Sequence, residues 1–341
     1  MQSTQFSLLK TERFLPLFVA QALGAFNDNG LRYAISILLV YDLAERLKID
    51  GGMFVALGTA LFIVPYFIFS AAAGQLADKY DKAVLARNIK GLEIGIMALG
   101  WISLHMDRIW LHMLVLFLAG TQAAFFSPVK YGLLPQHLTR TELVGGNGLI
   151  EMTTFIAILL GILFGGSFVL IGPLFGDATA FRPSGKDLVG VAVTALAVLG
   201  YFSARRIPPA PPPSPDIRLN WNIVAETRRI LGFATERSDV FQAIIGISWF
   251  WFVGVLMLTV LPPFTRDVLH ADAALANLFV AMFTVGIGAG SLVANTMLRG
   301  EVSARFASLA AIFMTLFLLD LYFASKLAVA RTTGGDLASL R

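Results

Sequence analysis

The run Phe26-Asn27-Asp28-Asn29-Gly30-Leu31-Arg32 lies inside an apolar stretch from about Phe14 to Val40. About 20 apolar residues span the ~30 Å hydrocarbon core of a bilayer, so this stretch is long enough to cross one. Three successive polar side chains followed by an arginine are expensive there. An ionisable group at that depth faces a partner or a water-filled cavity, and the chemistry such a pattern serves is passage of a polar solute or a polar headgroup. Helical spacing extends the set. Asp28 and Arg32 are four apart, so they face one side of a helix and can pair. Gln122, Phe126 and Lys130 repeat at intervals of four, and Asn147 and Glu151 are also four apart. The spacing agrees with one shared polar cavity.

The rest of the chain must hold these residues in a membrane. Of its 341 residues 57% are hydrophobic and 14% charged, with a mean hydropathy of +0.74. Soluble domains carry about 25% charged residues, and the composition therefore specifies an all-α polytopic membrane protein. There is no cysteine, which excludes disulfides, thiolate metal sites and a cysteine nucleophile. His105, His112, His137 and His270 are scattered near segment ends and read as interfacial polar groups rather than metal ligands. The first apolar segment is too long for a signal-peptide core and lacks a small-residue cleavage site, so it is expected as a retained first helix.

Nine apolar segments are expected as membrane helices: Phe14–Leu43, Met53–Ala77, Val84–Leu104, Trp110–Val129, Val144–Gly172, Leu188–Ala204, Phe241–Phe264, Ala273–Leu298 and Phe306–Ala324. Each is helix-length, whereas barrel strands are much shorter and alternate. With the N-terminus cytoplasmic, 16 Lys and Arg, Lys90 and Lys130 among them, fall on the cytoplasmic side and 6 on the other, the asymmetry of the positive-inside rule. Residues 1–204 then form a six-helix half, 205–240 a cytoplasmic linker, 241–325 three helices of a second half and 326–341 a polar tail. The linker opens with the proline-rich run from Arg205 to Pro215, a stiff polyproline-type spacer. Asn220 to Arg237 reads as a helix, either interfacial on anionic lipid or a solvated linker. The layout is that of a two-half transporter. A weak repeat between the ends of the second segment (Gly74 onward) and the eighth (Gly290-Ser291-Leu292-Val293-Ala294-Asn295) supports it.

Two families of motif then narrow the reading. Gly74-Gln75-Leu76-Ala77-Asp78-Lys79-Tyr80-Asp81-Lys82 resembles the signature between helices 2 and 3 of the major facilitator superfamily. Its glycine permits close helix approach, and its aspartate sits where it can pair with a basic residue or a helix dipole. The resemblance implies that Gly74, Asp78, Lys79, Asp81 and Lys82 form a conformational latch. The runs Ala25–Asn29, Phe125–Pro135 and Glu142–Glu151 resemble the bacterial lysophospholipid transporter family of that superfamily, over about residues 14 to 325. This implies the superfamily fold, apparently truncated, with about nine transmembrane helices instead of twelve. It also implies alternating-access transport of lysophospholipid across the bacterial inner membrane, feeding a cytoplasmic acyltransferase partner. No enzyme activity, cofactor or nucleic-acid partner is expected.

Under that resemblance the substrate-binding residues are Asn27, Asp28, Asn29, Arg32, Gln122, Phe126, Lys130, Asn147 and Glu151. A zwitterionic headgroup needs a cation for its phosphate, from Lys130 or Arg32, and an anion for its amine, from Asp28 or Glu151. Charge-assisted bonds of this kind are the strong ones. Pro128 can bend the fourth helix and aim Lys130 inward; the competing account has Lys130 snorkelling to the cytoplasmic headgroups. Gly161, Gly165 and Gly166, and Gly286, Gly288 and Gly290, allow close packing or bending. The Trp249-Phe250-Trp251-Phe252 cluster reads as lipid-facing or packing. The rivals to this reading are a small-solute or drug exporter of the same superfamily, and a non-transporting fragment or membrane domain of a fused acyltransferase.

Overall fold

The computed structural model describes residues 5–106, 108–172, 184–269, 273–299 and 301–333, and every regular element among them is helical. A 3-10 turn at Gln5–Lys10 precedes α1 (Leu15–Leu38), which passes through a π turn at Leu39–Leu43 into the short α2 (Ala44–Leu47). There follow α3 (Gly51–Lys79), α4 (Lys82–His105), α5 (Ile109–His137), α6 (Arg140–Phe168), α7 (Gly185–Ala204) and α8 (Ile223–Glu236). The last three are α9 (Ser238–Asp267), α10 (Ala273–Leu298) and α11 (Ala307–Thr333). His270, Arg182 and the tail from residue 334 lie outside the described residues.

Short polar residues set the boundaries. Asp50 accepts from Met53 N at 3.0 Å to start α3, and Asp81 accepts from Ala83 N at 2.8 Å to start α4. Thr139 with Glu142, and Ser184 with Asp187, form capping boxes on α6 and α7, each pair satisfying two otherwise unbonded amides. Lys48, in the left-handed region at φ 52°, closes α2. Two expected ends move outward. α5 continues past Val129 to His137 through Pro128 and Pro135, and α11 runs past Ala324 to Thr333. Apolar periodicity fades at these ends while helical backbone bonding continues. Lys130 consequently lies well within α5 rather than at its end.

Seven of the helices (α3, α5, α6, α7, α9, α10 and α11) contain a stretch long and apolar enough to cross a membrane by length and composition. α1 and α4 have span length but fall short of that apolarity. These two helices carry Asn27, Lys90 and Glu93 of the buried polar layer described below.

The chain divides into two compact units. The first contains the residues up to Leu231 and the C-terminal part of α10 from Gly288. In it α1 packs on α6 and α7, α3 on α5, and α4 on α5 and α7. Lipid tails are as apolar as leucine, so helices in a bilayer associate through close packing and polar bonds rather than hydrophobic burial. Both occur here. On the α1–α6 seam a Cβ at Gly161 would come within 2.5 Å of Phe26 O, and one at Gly165 would collide with Gly30 O. Gly148 of α6 is equally close to α10, where a Cβ would lie 2.6 Å from Ser291 O. The second unit holds α9, α11 and the first part of α10. Among its described residues Trp249, Phe252, Phe317 and Phe323 are exposed, as a lipid-facing surface requires.

The first unit has two apolar clusters along its length. One includes Leu17, Ala20, Ile89, Phe126 and Ile150; the other includes Leu31, Ile35, Met97, Leu116 and Val193. Between them, Asn27 on α1, Lys90 and Glu93 on α4, and Gln122 on α5 are buried. The unit therefore has a polar layer between two apolar ends.

Candidate functional site

Glu93 is the centre of this layer. Its Oε2 accepts from Lys90 Nζ at 2.6 Å and from Gln122 Nε2 at 3.1 Å, while Oε1 accepts from Asn27 Nδ2 at 3.0 Å. Lys90 and Glu93 are each 1% exposed. The Lys90 ammonium also sits 4.6 Å from the centre of the Phe126 ring. One carboxylate thus ties α1, α4 and α5 together. Two buried charges in contact are tolerated because each is paired and further hydrogen bonds saturate the acid. The sequence reading missed both residues. Lys90, counted among the cytoplasmic-side cations, is buried inside the bundle, and Glu93 was not singled out. The available signal was an opposite-charge pair three apart within an otherwise apolar segment. Gln122, Phe126 and Asn27 do face one cluster, as their spacing predicts, but their partners here are Glu93 and Lys90.

Asp28 is different. Its Oδ1 is buried without a hydrogen-bond partner among the described residues. The expected Asp28–Arg32 pair is not formed, because Arg32 donates instead to Asn29 Oδ1 at 2.7 Å and lies over the Phe62 ring at 5.3 Å. Asn29 in turn donates to Ala25 O at 2.8 Å. The charges acting on Asp28 come from Glu93, Lys90, Arg32 and Lys130, so three cations and one anion surround a carboxylate that bonds none of them.

Lys130 is 9% exposed and lies 4.4 Å from the centre of the Tyr131 ring. That burial overturns the snorkelling account, since a snorkelling ammonium ends in water. Glu151 accepts from Tyr131 Oη at 2.8 Å, which brings the acid to the α5 side of the cluster. Asn147 is not brought there: it is exposed and donates to Leu143 O of its own helix at 2.9 Å.

The α3–α4 turn forms a separate polar site. The close approach expected at Gly74 is not made, since a Cβ there would meet nothing within 4 Å. The other groups hold the proline-rich segment after α7. Gln75 and the backbone of Asn220 exchange two hydrogen bonds, at 2.7 and 3.1 Å. Lys79 Nζ donates to Ile217 O at 3.0 Å. Asp78 O accepts from Ser214 N at 3.0 Å. Asp81 Oδ2 accepts from Ala210 N at 2.9 Å while Lys82 N donates to Ala210 O at 3.1 Å. Gln136 of α5 adds a bond to Pro211 O at 3.1 Å. The linker is thus a strap bonded along the end of the first unit rather than a free spacer. Prolines suit it because they keep the chain extended and leave carbonyls available as acceptors. Lys82 itself is buried, packed against Gly132.

A bundle of membrane-length helices with a charged layer at its waist and a Gly-x-x-x-Asp-Lys-x-Asp-Lys turn matches one family. The family model of the Major Facilitator Superfamily covers residues 17–338. The chain belongs to the major facilitator superfamily. It is accordingly a multi-pass membrane protein of a transporter superfamily. Curated relatives named lysophospholipid transporter LplT, from Escherichia coli O7:K1 and from Shigella sonnei, are each 29% identical over 294 residues. Those alignments cover 85% of this chain and 67% of the relative.

Proposed function

We propose that this superfamily member moves lysophospholipids across the bacterial inner membrane by alternating access, with its N-terminus cytoplasmic, and supplies an acyltransferase that restores the second acyl chain. The observation that carries the reading is the mixed charge cluster around Asp28. A small anion or cation would need one sign of charge; a zwitterionic headgroup needs both within reach. Asp28 is an acceptor without a partner, suited to an amine. Arg32 and Lys130 are the cations not committed to a carboxylate ion pair among the described residues, and both suit a phosphate. The names of the LplT relatives point to the same cargo. Asn29 and Glu151 complete the proposed site. Asn27, Gln122 and Phe126 support it through Glu93 and Lys90, and Asn147 stands apart from the cluster in this conformation. Excluding Lys90 and Lys130 from the loop count leaves the basic excess on the proposed cytoplasmic side intact. The α3–α4 turn is proposed as the latch between access states, with Asp78 the exposed member free to exchange partners.

The test is uptake of radiolabelled lysophosphatidylethanolamine into spheroplasts expressing the protein. Asp28→Ala should abolish uptake while membrane insertion is unchanged. Uptake at the parent rate in that variant removes Asp28 from the site. Lys130→Gln should lower uptake sharply, whereas Asp78→Asn should shift cysteine accessibility between the two faces without affecting lysolipid binding.

A further inference from the structure

The strap ends in a helix whose surface is not accounted for by the first unit. α8 is 14 residues long, about 21 Å at 1.5 Å per residue, and too short to span a membrane. It is tied at both ends to membrane-length helices, through the strap to α7 and through Arg237 alone to α9. On its wheel Ile223, Val224, Thr227, Ile230 and Leu231 share one face, at the i, i+4, i+7, i+8 spacing of an apolar stripe. Val224 is 78% exposed, Leu231 57%, and Trp221 just before the helix 69%. Exposed apolar faces of this kind mark interaction surfaces.

Charge selects the occupant. Arg228 is exposed on the helix and Arg218 is exposed in the strap just before it. Glu226, the acid in the first turn, is 1% exposed and bound by Arg229 and Asn220, which withdraws negative charge from that surface. Asp216 and Glu236 remain at the two ends. An amphipathic helix with an aromatic edge and flanking arginines fits the boundary between anionic headgroups and acyl chains. We propose that α8 lies on the membrane surface and binds anionic lipid headgroups, with Trp221, Val224 and Leu231 at the acyl boundary and Arg218 and Arg228 among the phosphates. The Gln75–Asn220 pair immediately before Trp221 then connects that surface to the α3–α4 turn, so the lipid composition of the membrane bears on the turn directly. This inference does not depend on the cargo.

The absence of cysteine makes the test simple. Val224→Cys on the apolar face and Ala225→Cys on the opposite face are labelled with an environment-sensitive fluorophore, and the whole chain is placed in nanodiscs of phosphatidylcholine with or without phosphatidylglycerol. The label at 224 should be quenched by spin-labelled lipid, more so with phosphatidylglycerol, and the label at 225 by aqueous iodide. Arg218→Gln and Arg228→Gln should each weaken the phosphatidylglycerol effect roughly fivefold at low salt, and high salt should do the same. Iodide quenching at 224 equal to that at 225 would overturn the proposal, as would a label at 224 shielded from both quenchers, which means protein covers the face. Lipid quenching indifferent to phosphatidylglycerol and to both arginines would overturn its anionic part.

Discussion

The polar run of α1 and the polar turn between α3 and α4 use similar residue types, yet their bonding ends differently. At the turn, Gln75, Lys79 and Asp81 are matched by backbone groups of the strap. In the α1 run, the Asn27 amide nitrogen is taken by Glu93 and Arg32 by Asn29, while Asn27 Oδ1 and one oxygen of Asp28 are left unmatched. Both regions contain carboxylates and cations close in sequence. What separates them is the supply of partners. The strap is extended chain whose amides and carbonyls have few internal bonds, so they are available to the side chains of the turn. α1 faces helices whose backbone groups are already bonded to themselves, so only side chains can answer it, and the supply falls short at Asn27 and Asp28. A satisfied region holds a structure; the unmatched acceptor at Asp28 is what the proposed site rests on.

The comparison can be broken most severely at Glu93. Glu93→Ala leaves Lys90 as a buried cation with no carboxylate and frees Asn27 and Gln122. Breaking one side of such a pair costs about 3–5 kcal/mol, so the thermal midpoint of the detergent-solubilised protein should fall sharply. The double variant Lys90→Met/Glu93→Met should recover most of the loss. A Glu93→Ala protein as stable as the parent would show that the layer does not hold the unit together.

Asp28 should behave in the opposite way. Asp28→Asn removes a buried charge that has no partner, so stability should be unchanged or raised, while lysolipid uptake is lost. A drop in the thermal midpoint comparable to that of Glu93→Ala would place Asp28 among the structural groups and erase the distinction between the two regions. Next in size is the strap. Gln75→Ala deletes two hydrogen bonds to the strap, each worth about 0.5–1.5 kcal/mol net. Amide exchange should quicken in the segment 214–222 and stay unchanged in α1 and α6. Uniform exchange across the unit would mean that the strap is not a separable element.

The smallest effect concerns pH at α8. The bond from Arg229, with Asn220 adding to it, holds the Glu226 carboxyl below its usual range. A depressed acid stabilises the folded form above its unfolded value of about 4.3 and loses that contribution as pH falls through its lowered folded value. Exchange protection at the start of α8 should therefore hold from neutral pH down to about 4 and weaken only below it. Glu226→Gln should remove this acid dependence. Weakening already near neutrality would point to another group.

Composition, segment length and the sign of flanking charges determined that this is a multi-helix membrane protein. Those are properties of single segments against a bilayer, and they need no partner to be read. The Gly74–Lys82 turn and the runs around Asp28, Lys130 and Glu151 were enough to indicate the superfamily. The same local reading counted Lys90 on the cytoplasmic side and ended α5 at Val129, because a lysine reads the same whether it reaches water or a buried glutamate. It also let Asp28 pair with Arg32, since spacing allows that bond and cannot register the competing Asn29. Which acid is saturated and which is left open depends on what neighbouring helices present at the same height. Likewise, the strap could be seen as proline-rich but not as docked, because its partners on the α3–α4 turn lie more than a hundred residues away. Tertiary structure decided these points, since a polar group in a membrane takes whichever partner the packing brings within about 3 Å.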